Sequence, residues 1–206
     1  MNIYVMRHGT TIWNEIGRIQ GLSNNRLSTE GKKLVERTAN EIKNLDFDMI
    51  FSSPVMRTMQ TTNIVNQFLN LKVIKDERIT DIDQGIFAGR FKTSLTEHEK
   101  YLRKTHDKNC GVESWEETFL RVKDFMNEIK SKKEYKNILI VTHDYPATCI
   151  ENILTDKDID FKNYTHSRNF KNAEIRKFLL KQSDTLCMGC FLSILELWSC
   201  VMYDII

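Results

Sequence analysis

Short apolar runs alternate along this chain with longer stretches in which apolar residues return every three or four positions. Ile3 to Met6 is a brief run cut off by Arg7-His8-Gly9, the pattern of a buried strand whose carboxyl end opens into a polar loop. Leu27-Ser28-Thr29-Glu30 supplies an N-cap and a first-turn acid, and Leu34, Val35, Thr38, Ala39, Ile42 and Leu45 follow at helical spacing. The sequence then repeats itself in kind: Asp48 to Phe51 reads as a strand, Ser52-Ser53-Pro54 as a turn with Pro at the first helical position, Met56 to Phe68 as that helix, and Lys72 to Lys75 as a short strand. A loop-rich stretch from Ile79 to Gly111 precedes Trp115, Phe119, Val122, Phe125, Met126 and Ile129, which step as one face of a helix. Asn137 to Thr142 is a fully apolar strand ending at His143. Strands alternating with helices predict an α/β fold with a mostly parallel sheet.

The carboxyl end breaks the pattern. Leu186 to Ile206 holds 16 apolar residues in 21, with no Lys or Arg. Its length would cross a bilayer core of about 30 Å. Glu196 lies mid-segment, however, where a charge costs roughly 2.5 kcal/mol or more. The favoured expectation is a helix packed on the core or on a second subunit, as in a homodimer, in preference to a membrane anchor. The chain thus divides into a domain over residues 1–182 and an apolar extension over 183–206. Cys187-Met188-Gly189-Cys190 is a lone CxxC without a second pair, a weak pointer to zinc or redox chemistry.

Composition narrows the classes. With 206 residues, 41% of them hydrophobic, and only 8 Gly and 2 Pro, the chain is neither disordered nor low-complexity. A formal charge of +2 is too balanced to predict binding to nucleic acid or anionic lipid, so any anion site must be local. The amino terminus lacks the basic start and long apolar run of a signal peptide, which predicts a cytoplasmic protein. The odd set of Cys110, Cys149, Cys187, Cys190 and Cys200 then reads as buried thiols in place of a disulfide framework.

Three features fall at predicted carboxyl ends of strands, where open α/β sheets place ligand sites: Arg7-His8-Gly9, Arg57 just inside a helix, and His143. Two arginines and two histidines on one rim suit a phosphate, because guanidinium groups offer paired N–H donors and helix amino termini add positive dipole ends. A neutral imidazole nitrogen is a competent nucleophile toward phosphorus, and a second, protonated histidine would stabilise charge in the transition state.

These residues resemble the histidine phosphatases, the phosphoglycerate-mutase-like superfamily, in the branch that includes cofactor-dependent phosphoglycerate mutases and metabolite phosphatases. Arg7-His8-Gly9-Thr10-Thr11-Ile12-Trp13-Asn14 is similar to the signature of the family, and Gly17-Arg18-Ile19-Gln20-Gly21 and Leu27-Ser28-Thr29-Glu30-Gly31 follow at its usual spacing. Ser52 to Thr61 resembles the segment with the second phosphate-clamping arginine, Val141-Thr142-His143 the segment with the second histidine, and Gly111 to Trp115 the opening of the long helix. The resemblance implies a three-layer α/β/α sandwich in which Arg7, Arg57 and His143 hold a phosphoryl group that His8 attacks. Asn14, Gln20 and Gly21 would line the pocket. It implies neither metal nor cofactor, since side chains supply the positive charge.

Two departures concern the proton donor. The family takes its proton from a glutamate in a glycine-containing loop, and the aligned residue in Ile79 to Gly89 is Asp81, one methylene shorter. Asp144 stands where this branch has glycine, and another branch uses a His-Asp pair there, so Asp144 is a rival acid, or simply a helix N-cap. Asp81 is preferred and Asp83 comes third. The segment from Arg90 to Lys108, where the family builds its substrate lid, carries six Lys/Arg against three acids, with His98 and His106. This bias would favour a substrate with further negative charge, or be a solvated face.

The expected activity is metal-independent hydrolysis of small phosphorylated metabolites through a phosphohistidine on His8. The alternatives are phosphoglycerate-mutase-type transfer, a non-catalytic phosphate-binding module, and a metal-dependent hydrolase built on the histidines with Cys187 and Cys190.

Overall fold

The computed structural model describes residues 1–161, 164, 166 and 169–180. Five strands form one sheet in the order β3-β2-β4-β1-β5: β1 (Asn2–Arg7), β2 (Met49–Ser52), β3 (Val73–Lys75), β4 (Asn137–Thr142) and β5 (Ile175–Leu179). The first four run parallel, and β5 is antiparallel to β1 at one edge. The antiparallel β5 has no counterpart in the sequence expectations. Its residues are only half covered, which leaves no continuous apolar run to read.

Between their polar ends the inner strands are apolar on both faces because both are buried, and their period of two sorts the residues between two cores. Ile3 and Val5 of β1, Phe51 of β2, and Ile138 and Ile140 of β4 meet Val122, Phe125, Met126 and Ile129 of α5 (Trp115–Ser131), and Ile150 of α6 (Asp144–Leu154). Tyr4, Met6, Ile50, Leu139 and Val141 face the other way, onto Val35, Ala39 and Ile42 of α2 (Thr29–Ile42) and Val65 of α3 (Met56–Leu69). The result is the three-layer α/β/α sandwich with a mostly parallel sheet. As the spacing predicts, Ser28 caps α2, its hydroxyl accepting the amide N–H of Gly31 at 3.0 Å. Pro54, in contrast, lies outside its helix: α3 begins at Met56, with Val55 in the cap position.

Two smaller helices lie in stretches read as loop. α1 (Ile12–Glu15) is one turn closed by a capping box between Thr11 and Asn14, and α4 (Glu97–Lys104) is capped the same way by Thr96 and Glu99. Ile19, Phe87, Leu95, Cys110 and Val112 make a third, separate core beneath α4. Among the described residues no helix is long and apolar enough to cross a membrane. Residues 183–206, with Cys187 and Cys190, lie outside the described residues. Cys110 and Cys149 are buried free thiols, as expected.

Candidate active site

The carboxyl ends of β1, β2 and β4 converge on one cleft. His8 follows β1 directly, and its backbone is held on both sides: its N–H donates to Thr142 O at 3.0 Å, and its carbonyl accepts the Ala173 N–H at 3.1 Å. The loop packs against the start of α2 because Gly31 has no side chain; a Cβ there would stand 1.9 Å from Thr10 O. The His8 Nδ1–H donates to the Gly9 carbonyl at 2.7 Å, which leaves the lone pair on Nε2. Arg57, fully buried on α3, reaches that Nε2 with its Nε–H at 3.3 Å.

Arg57 is a buried cation whose donors are shared among Gly21 O at 2.8 Å, Ser23 O at 3.2 Å and Asp81 Oδ2 at 2.9 Å. Burial depresses its pKa, and the Asp81 carboxylate opposes that. Burial likewise raises the pKa of Asp81 above the ordinary carboxylate range, against the pull of Arg57 and the Ile82 amide. Asp81 Oδ2 also stands 3.8 Å from His143 Nδ1. His143 is fully buried, its Nε2 paired with the Ser53 hydroxyl at 2.9 Å, and its Nδ1 has no hydrogen-bond partner. Its ring lies edge-on to His8, with 5.3 Å between centroids.

The expectation of a protonated second histidine is corrected here. Burial, then the charges of Arg57, His8, Arg121 and Arg7, hold the His143 pKa well below its usual value, so the ring is neutral. The buried Nδ1 of a neutral His143, 3.8 Å from Asp81 Oδ2, is a donor when the Ser53 hydroxyl donates to Nε2 and an acceptor when Nε2–H donates to Ser53. Arg7 donates to the Phe170 carbonyl at 2.5 Å and lies 3.9 Å from Asp144.

The three rival acids separate cleanly. Asp81 lies between Arg57 and His143. Asp83 turns aside, accepting the Gly85 N–H at 2.9 Å, and lines a neighbouring hollow. Asp144 is the first residue of α6, with His143 in the cap position. Its carboxylate accepts the N–H groups of Asn169 and Phe170 at 3.2 and 2.8 Å and pairs with His166 at 3.1 Å. Burial alone would raise its pKa, but the His166 bond, the Arg7 charge and the Phe170 amide together hold it low. Asp144 is therefore a carboxylate that organises Arg7 and the 169–170 turn. It is neither a poised acid nor the cap of its own helix.

The cleft measures about 450 Å³, and Asn14, Gln20 and Gly21 line it with Arg7, Asp81 and Asp144. Gly21 contributes its carbonyl to Arg57 from a left-handed backbone, φ 53°. Also lining the cleft are Arg18, Gln84, Tyr145 and His166, to which the sequence assigned no role, and Lys92, Arg103, Lys104 and His106 of the basic segment expected to form a lid. His98 is exposed and outside this lining. Behind Asp81, Arg121 of α5 donates to three backbone carbonyls, those of Arg78, Thr80 and Asp81, at 2.8, 2.8 and 3.0 Å. Glu113 binds the same guanidinium at 2.7 and 3.0 Å and accepts the Asp83 N–H at 3.1 Å. The only trace of this clamp in the sequence is an arginine beside the apolar face of an amphipathic helix.

Comparison with known proteins agrees with this geometry. The chain is 30% identical over 165 residues to phosphoserine phosphatase 1 of Hydrogenobacter thermophilus, covering 77% of this chain and 78% of that protein. It is 26% identical over 196 residues to a probable phosphoglycerate mutase of Enterobacter sp. (strain 638), covering 92% and 89%. Its fold superposes on the crystal structure of a putative α-ribazole-5'-P phosphatase from Escherichia coli with a TM-score of 0.78 at 19% identity, covering 88% and 92% of the two chains. The family model of the histidine phosphatase superfamily (branch 1) matches residues 3–187. With its two histidines and two arginines gathered at the ends of three parallel strands, this chain belongs to the histidine phosphatase superfamily, branch 1.

Proposed function

We propose that the protein is a phosphatase of small phosphomonoesters that works through a phosphohistidine on Nε2 of His8. The observation that carries this reading is the tautomer of His8: Nδ1–H is committed to the Gly9 carbonyl, so Nε2 faces the Arg57 guanidinium with its lone pair. Arg7, Arg57 and His143, as the Nδ1–H tautomer, would cradle the phosphoryl oxygens, whose charge grows in the transition state. Nε2 forms the P–N bond as the P–O ester bond breaks, and the departing oxygen takes the proton of Asp81. Water then attacks phosphorus and yields a proton to the Asp81 carboxylate, and the P–N pair returns to Nε2 with release of phosphate. A bound phosphoryl dianion competes with Asp81 for Arg57, so substrate binding favours the protonated acid that the first step requires. In this reading the positive charge comes from side chains, and turnover is insensitive to chelators.

The phosphatase relatives support hydrolysis; the similarity to a probable phosphoglycerate mutase supports mutase transfer as the second reading. Rapid quench with a ³²P-labelled ester tests the first step. The parent should carry acid-labile, base-stable label, and His8→Ala should lose both the label and about 10³-fold or more of the rate. Absence of label while phosphate still binds would leave a non-catalytic phosphate-binding module. Sustained conversion of 3-phosphoglycerate to 2-phosphoglycerate without phosphate release, given a bisphosphate primer, would establish the mutase.

A further inference from the structure

His143 Nε2 meets one partner, the hydroxyl of Ser53, at 2.9 Å. Ser53 follows β2, is fully buried and is pinned along its backbone. Its N–H donates to Val141 O at 3.0 Å, and its carbonyl accepts the hydroxyls of Ser52 and Thr58 at 3.0 and 2.9 Å. Pro54 beside it has no N–H, so the first backbone donor of the turn to reach Ser53 Oγ is Val55 N–H, at a long 3.4 Å. Among the described residues Oγ has these two hydrogen-bond partners, an N–H donor and the ring nitrogen.

The two directions of the Ser53–His143 bond differ in what they leave buried and unmet. If Nε2–H donates to Oγ, the hydroxyl proton has no acceptor, and Nδ1 turns a bare lone pair toward Asp81 Oδ2, 3.8 Å away. If the hydroxyl donates to Nε2, Oγ still accepts from Val55, and the single proton of the neutral ring sits on Nδ1, beside that carboxyl oxygen. A buried hydroxyl without an acceptor is unfavourable, and so is a lone pair facing an oxygen. The second direction leaves only the Nδ1–H unmet, on the Asp81 side, where the phosphoryl group of the proposed reaction would supply an acceptor.

We propose that Ser53 is a positioning residue, donating its hydroxyl proton to Nε2 and so holding His143 in the Nδ1–H tautomer that meets the phosphoryl oxygens. This rests on the phosphatase reading above and adds a residue to its machinery. Ser53 touches no reacting atom; without its hydroxyl the neutral ring can carry the proton on either nitrogen, and the Nε2–H form offers the phosphoryl group a lone pair in place of a donor. Nitrogen-15 NMR of the histidine rings in the full chain, with His143 assigned from its backbone resonances, reads the tautomer without turnover. In the ligand-free parent at neutral pH the proton should sit mainly on Nδ1. Ser53→Ala should move a large share of it to Nε2, and Ser53→Thr should restore part of the parent pattern. Ser53→Cys, close in shape but a weaker donor, should fall between parent and alanine, and it decides the point if the alanine variant does not fold. Affinity for vanadate, a mimic of the transferring phosphoryl group, should fall by about tenfold or more in Ser53→Ala and recover in part with Ser53→Thr. A parent ring protonated mainly on Nε2, variants that keep the Nδ1–H form in full, or unchanged vanadate affinity in a variant whose tautomer has shifted would each overturn the role of Ser53 and leave the phosphatase reading standing. A parent that never acquires the phosphohistidine label would end the phosphatase reading, while the ring spectra still decide which way the Ser53 bond runs.

Discussion

At the residue scale, the assignment of the acid rests on the surroundings of one carboxyl. Asp81 is preferred to Asp144 and Asp83 because it is the carboxyl placed against both Arg57 and His143, and because burial keeps its pKa raised. Alkyl phosphates have poor leaving groups and need that proton; p-nitrophenolate does not. Asp81→Asn should therefore lower kcat for an alkyl phosphate by about 10²-fold or more, but kcat for p-nitrophenyl phosphate by less than about tenfold. The alkyl-phosphate rate of the parent should fall as pH rises through the raised Asp81 pKa, a limb that the variant lacks; an unchanged limb would mean another acid. The same shift has a stability consequence. A carboxyl whose folded pKa exceeds its unfolded value contributes stability below about pH 4, lost as pH climbs through the folded value. Thermal melts should show the parent losing ground to Asp81→Asn over that rise.

At the element scale, the long helix α5 closes the fold and also holds the acid loop. Its apolar face was legible from Trp115, Phe119, Val122, Phe125, Met126 and Ile129, but the role of Arg121 depends on carbonyls of Arg78, Thr80 and Asp81, some forty residues earlier. In the proposed mechanism Arg121 touches no reacting atom and would act as a positioning residue. Arg121→Met should reproduce the leaving-group selectivity of the Asp81 variant in milder form, roughly tenfold on alkyl phosphates, with Arg121→Lys recovering part of it. An equal loss on both esters would make the residue merely structural. The short helices α1 and α4 are too brief for periodicity to register, and a local capping box sets each of them.

At the scale of the whole molecule, stability should follow the layering. Ile140 lies on the sheet's central strand, fully buried against α5, whereas Leu179 on the edge strand is 63% exposed. Ile140→Ala should cost about 2–5 kcal/mol in denaturant unfolding, and Leu179→Ala less than about 0.5 kcal/mol. Comparable losses at both positions would mean that the β5 edge is covered by further contacts.

The alternation of short apolar strands with amphipathic helices, and the clustering of Arg7, His8, Arg57 and His143 at strand ends, are written into local sequence. Period, capping and the rule that ligands gather at carboxyl ends of parallel strands need no distant partner to be read. Which carboxyl meets Arg57 and His143, which nitrogen of His8 keeps its lone pair and why His143 is neutral were decided only when the chain closed. These are properties of distance and desolvation among residues far apart in sequence, and a pKa or an ion pair exists only once the groups that create it have been brought together.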